Sequence, residues 1–127
     1  MREAINTKKG LPRLIAATGH SVRGYRAAFN SEEAFRQEAI LALLLLPTAL
    51  WVGQTLIERI LLIAAVLLVL ITELLNTGIE YTIDRISTEH HELSGHAKDI
   101  GSAAVLTALF LWLVIWLPLL YARFTAS

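Results

Sequence analysis

Glu73, Asn76, Glu80 and Asp84 follow one another at i, i+3, i+7 and i+11 in the stretch ITELLNTGIEYTIDR, residues 71–85. On an α-helix that spacing puts all four on one face, about 16 Å from first to last. The preceding residues, ILLIAAVLLVL (60–70), form an apolar run fit for lipid. An acid inside such a span is costly and normally faces a bundle interior or a watered cavity, so Glu73, the deepest of the row, reads as functional. Glu80 and Asp84 fall nearer the headgroups, where Asp84 reads equally well as a solvated charge. Carboxylates, an amide and a lysine (Lys98), in a chain without cysteine, suit a hard cation such as Mg²⁺, which takes oxygen ligands and keeps substrate phosphates in its shell. That chemistry points toward phosphoryl transfer, where positioning and charge neutralisation matter more than covalent catalysis. Neither a G-x-x-x-x-G-K-[ST] loop nor an H-R-D or D-F-G set is present, so any kinase here lies outside those families. The run EHHE (89–92) invites a zinc reading, but HHELSGH lacks the H-E-x-x-H spacing and zinc is not expected.

The elements that must carry this row are helical and membrane-bound. The chain has 127 residues, enough for one domain, of which 55% are hydrophobic. Its mean hydropathy of +0.56 is too high for an ordinary soluble domain of this size. With a formal net charge of zero, composition gives nucleic-acid binding no support. No signal peptide is evident after the polar, basic start MREAINTKKGLPRLI.

In LPRLIAATGHSVRGYRAAFN (11–30), Leu11, Leu14, Ile15, Val22, Tyr25 and Phe29 recur at helical spacing, with Arg13, Arg23 and Arg26 mostly off that stripe. This predicts an amphipathic helix lying in the membrane interface, opened by Pro12. Three spans follow, with bounds expected at 31–55, 57–87 and 94–122. The first opens at a capping box of Asn30 and Glu33 and continues into AILALLLLPTALWVGQTLI, 19 residues without charge. That length suffices to cross a bilayer. The expected architecture is an all-α membrane protein in one domain, residues 1–127.

Lys and Arg set the expected orientation. Nine of them (Arg2, Lys8, Lys9, Arg13, Arg23, Arg26, Arg36, Arg85, Lys98) fall on one side and two (Arg59, Arg123) on the other. The N-terminus and the 84–99 loop are therefore expected in the cytoplasm. Three spans and a surface helix do not easily enclose the polar row alone, so an oligomer is expected to complete its surroundings. The small residues GSAA (101–104) allow close helix contact.

Three stretches, AFRQE (34–38), ELLNTGIEYTIDRI (73–86) and HELSGHAKDIGSAAVL (91–106), resemble the prokaryotic diacylglycerol kinase family. The resemblance runs from about Arg13 to Leu106 in one register. It implies a homotrimeric bundle in the bacterial inner membrane that phosphorylates diacylglycerol to phosphatidic acid with ATP and Mg²⁺. Carried over by position, Glu73 looks like the general base on the lipid hydroxyl and Asn76 like a group that positions it. Glu32 and Glu80 look like the metal ligands near ATP, while Lys98 and Asp99 serve the phosphates. Thr18, His20, Ser21, Glu89, His90 and His91 match the family's nucleotide-contacting positions. Arg13, Ala34, Phe35, Arg36, Gln37, Glu38 and Ser102 match those facing the lipid. Thr18, His20, Phe29 and Glu33 depart from the enteric form of the pattern.

Two other functions compete. The family also contains undecaprenol kinases, although ELSG…KDIGSAAVL is closer to the diacylglycerol branch. A small oligomeric proton-coupled transporter would also use a membrane-embedded Glu, but it wants polar access from both sides. Here the polar groups crowd the cytoplasmic half.

Overall fold

A computed structural model of the chain describes residues 9–126; Arg2, Thr7 and Lys8 lie outside them. The described residues form four α-helices: α1 (Leu11–Ser31), α2 (Glu33–Val52), α3 (Leu56–Ile86) and α4 (Glu92–Thr125). The last three are long and apolar enough to cross a membrane. The expected all-α plan of one amphipathic helix and three spans is thus borne out.

Local sequence explains the helix ends. Pro12 sits in the first turn of α1, where its missing N–H has no partner to lose. At the turn between α2 and α3, Thr55 accepts the Glu58 N–H through its hydroxyl at 3.2 Å, and the Glu58 carboxylate accepts the Gln54 N–H at 3.2 Å. This is a variant of the T-x-x-E capping box, with the carboxylate taking the N–H one residue before the N-cap. His91 opens α4 by accepting the Leu93 N–H on Nδ1 at 3.1 Å. Two arginines close α2: Arg59 Nε donates to the Leu50 and Gly53 carbonyls, and Arg123 Nε donates to that of Trp51 at 2.9 Å. Arg123 also lies over the Trp51 ring, 4.5 Å from its centroid. Carbonyls that a helix leaves unpaired at its C-terminal end are satisfied this way.

The α1–α2 junction corrects one expectation. Asn30 and Glu33 form no capping box, because Asn30 is still inside α1, which runs on to Ser31. One extended residue, Glu32 (φ −117°, ψ 112°), separates the two helices and N-caps α2 without a side-chain hydrogen bond. Its N–H closes α1 on the Ala28 carbonyl, and its own carbonyl accepts the Arg36 N–H.

Packing is strongest between α3 and α4, with α2 set against α3. The core on the side of the α2–α3 turn contains Ala42 and Ala49 of α2, Leu62, Ala65 and Val66 of α3, and Trp116 of α4. Small side chains let the helices approach closely where lipid supplies no hydrophobic drive between them. Trp116 Nε1 donates to the Leu62 carbonyl at 3.2 Å, satisfying a buried indole. Leu43, Leu44, Leu106 and Phe110 stay uncovered, as faces toward lipid or another chain require. The apolar stripe of α1 (Leu11, Leu14, Ile15, Val22) is likewise uncovered, which suits an interfacial helix.

Candidate active site

The polar row on α3 is where the deep acid meets the others. Glu73 is 6% exposed, and Glu38, Glu80 and Glu32 are the carboxylates whose charges act on it. Glu80 and Glu32 approach within hydrogen-bonding reach of one another. Four acids, from α2, α3 and the single-residue joint, therefore share one region. One turn from Glu80, Asn76 donates through Nδ2 to Glu80 Oε1 at 3.4 Å. Such crowding of anions calls for a cation.

Part of that charge is met by Lys98. It binds Asp84 Oδ1 at 2.9 Å across α3 and α4, and its charge also reaches Glu80. Asp84, which the sequence leaves open between a member of the row and a solvated charge, is thus the partner of Lys98 in a half-exposed ion pair. Both sit at a cavity of about 220 Å³ formed where α3 ends and α4 begins. Ser87, Glu89, His90 and His91 also line it. Ser87 Oγ accepts the Glu89 N–H at 3.0 Å, which tightens the loop.

The remaining sequence-derived positions divide. Glu38 lines a small apolar cavity of about 100 Å³ between the spans. Phe35 is buried against Tyr25. Arg36 crosses the joint, donating to the Phe29 carbonyl at 3.1 Å and lying over the Phe29 ring. Gln37 pairs with Glu33, and Ala34, Arg13, Asp99 and Ser102 are exposed. On α1, the hydrogen bonds of the three nucleotide-position residues stay local. Thr18 and Ser21 donate to the carbonyls of Leu14 and Ala17, and His20 pairs with Arg23 at 2.5 Å. The structure does not bring these three to the carboxylates through any hydrogen bond among the described residues.

One contact had no reading in the sequence. The Tyr81 hydroxyl, on α3, reaches Ser31 Oγ on α1, and Ser31 in turn donates to the Ala27 carbonyl at 2.8 Å. It ties the end of the surface helix to the helix carrying Glu80. The pairing joins residues 50 positions apart, beyond the reach of helical periodicity.

As to a metal, no group of three or more His, Cys, Asp or Glu side chains gathers as a ligand set among the described residues. Two facing carboxylates fit Mg²⁺, which is often held by one or two carboxylates plus substrate phosphates.

The family model for prokaryotic diacylglycerol kinase matches residues 19–120. The chain is 49% identical over 119 residues to the diacylglycerol kinase of Escherichia coli (strain K12), covering 94% of this chain and 98% of that one. It is 49% identical over 112 residues to the diacylglycerol kinase of Haemophilus influenzae, covering 88% and 95%. Against the Pseudomonas aeruginosa diacylglycerol kinase it is 50% identical over 111 residues, covering 87% and 90%. On this match, which takes in Glu32, Glu73, Asn76, Glu80 and Lys98, the chain belongs to the prokaryotic diacylglycerol kinase family.

Proposed function

We propose that this chain is an ATP-dependent diacylglycerol kinase acting at the cytoplasmic face of the bacterial inner membrane, where it is a multi-pass protein working as one membrane domain. The observation that carries the reading is the depth-graded row on α3. Glu73 is buried within the span, and Glu80 faces Glu32 two turns nearer the water. At 1.5 Å per residue, Glu73 and Glu80 are about 10 Å apart along the helix. That interval matches the boundary between a lipid acceptor and a soluble donor.

In this reading Glu73 meets the free hydroxyl of diacylglycerol. It takes that proton as the oxygen attacks the γ-phosphorus, the bond from phosphorus to the bridging oxygen breaks, and ADP leaves with that oxygen. Glu32 and Glu80 would hold Mg²⁺, which when bound neutralises the phosphates. Asn76 fixes Glu80. Lys98, held by Asp84, offers its ammonium to the phosphates beside Asp99. Glu89, His90 and His91 line the loop cavity as the nucleotide's seat, with Thr18, His20 and Ser21 approaching from α1. Arg13, Ala34, Gln37 and Ser102 are exposed to meet the lipid, while Phe35, Arg36 and Glu38 shape its seat from within the chain. Undecaprenol as acceptor is less favoured, because the similar proteins are named for diacylglycerol. A transporter is less favoured because the polar groups stay in one half of the spans.

Purified protein in mixed micelles with labelled ATP tests the acceptor. Label is expected in phosphatidic acid. Label only in undecaprenyl phosphate, or in no lipid, overturns the proposal.

We also propose an inward N-terminus, from the nine-to-two distribution of Lys and Arg. Single cysteines at Thr7 and Ala126 are expected to label from opposite sides of oriented vesicles; labelling from one side contradicts three spans. The assembly proposed is a homotrimer, since the uncovered apolar faces and the cluster of acids call for neighbouring chains. Crosslinking in membranes should then end at three chains, and a ladder ending at two rejects it.

A further inference from the structure

Asn76 and Gly101 meet where α3 crosses α4. Gly101 is buried, and a methyl group at its Cα would run into the Asn76 Oδ1. The next atoms it would meet are Asn76 Cγ at 3.3 Å and Ile79 Cδ1 at 3.7 Å. Asn76 Oδ1 is itself buried and has no hydrogen-bond partner among the described residues. The other end of the same carboxamide donates to Glu80 Oε1. The NH₂ thus faces Glu80 and the oxygen faces Gly101. Leaving a buried acceptor unpaired is costly. By contrast, a Cβ at Gly24 or Gly78 meets nothing within 4 Å.

We propose that Gly101 is a positioning residue for the phosphoryl-transfer site. The space where its Cβ would be is the seat of the Asn76 carboxamide, and that seat aims the NH₂ at Glu80. The inference rests on the reading of Glu80 as a group that holds Mg·ATP. A methyl at position 101 lifts the amide from its seat and turns the NH₂ away. Glu80 then loses the partner that fixes its carboxylate opposite Glu32. Gly101 touches neither nucleotide nor lipid and acts through Asn76 alone. The competing role is a small residue that merely lets α3 and α4 approach.

A cycle of Gly101→Ala, Asn76→Ala and the double variant separates the two roles. Gly101→Ala is expected to raise the KM for Mg·ATP by up to about 10²-fold, the scale of a 1 Å misplacement, with the KM for the lipid unchanged. In the Asn76→Ala background the same change has no further effect, because no carboxamide is left to displace. An equal penalty in both backgrounds assigns Gly101 to helix packing and overturns the proposal. Melting temperatures of the same variants read the seat without any activity, so they decide the matter even if the wild type fails to phosphorylate diacylglycerol. If Gly101→Ala does not fold, restored folding in the double variant supports the seat. A double variant that is also unfolded rejects it.

Discussion

Glu73→Gln is expected to lower kcat by about 10²–10⁴-fold, the usual cost of removing a general base, while Mg·ATP still binds. Glutamine keeps the shape of the side chain at a position that is 6% exposed and removes only its capacity to take a proton. The expectation depends on depth. Glu73 is the most enclosed of the acids on α3, and its neighbours Glu38, Glu80 and Glu32 are all carboxylates. Among the described residues no cation pairs with it, so a purely structural role as a salt-bridge partner has little support. Turnover is measured with saturating lipid, and nucleotide binding separately by calorimetry. Near-normal turnover in a correctly assembled Glu73→Gln protein would remove the base from the mechanism.

The second large effect falls on the metal. Glu80→Gln is expected to raise the Mg²⁺ concentration for half-maximal activity at least about 10–100-fold, since even outer-shell partners of a metal typically cost that much. Glu32→Gln should do the same, because the two carboxylates face each other and neither alone makes a charge clamp. Combining them should cost less than the product of the single effects, as expected for groups that act on one ion. The signature is a shift along the Mg²⁺ axis with activity recovered at high metal, unlike the loss from Glu73→Gln. An unchanged Mg²⁺ dependence in either variant counts against the pair as ligands. His90→Ala should leave the Mg²⁺ axis where it was, since no three-ligand cluster gathers around it among the described residues.

What could be read from the residues alone was whatever lies within one helix. The row Glu73, Asn76, Glu80 and Asp84 was legible because helical period places those positions on a common face without help from the rest of the chain. The spans were legible from uncharged length, and α1 from its stripe. Contacts between helices were not. Lys98 and Asp84 meet because the loop at 87–91 returns α4 alongside α3 in a particular register, and no local spacing encodes it. Gly101 against Asn76 depends on the same register. The Asn30–Glu33 signal fitted a capping box, yet α1 kept its helical bonds through Ser31 and left Glu32 as the joint. Local hydrogen-bond preference lost to continuation of the helix. The T-x-x-E spacing at Thr55 is the one that caps a helix, with the Thr55 hydroxyl accepting the Glu58 N–H.

In the proposed site the joint also makes chain length a catalytic variable. Glu32 is the last residue to close α1 and the first to open α2, so no slack separates the amphipathic helix, proposed to rest on the lipid, from the carboxylate facing Glu80. Surface connections usually accept an extra residue cheaply. Here an insertion would re-index the carboxylate, and a change in how deeply α1 settles is transmitted to it by rigid leverage. Tyr81, bound to Ser31 immediately before the joint, restrains that lever from the side of α3. With α1 settled at the interface as proposed, the membrane surface would become part of the ruler that sets the distance between two acids.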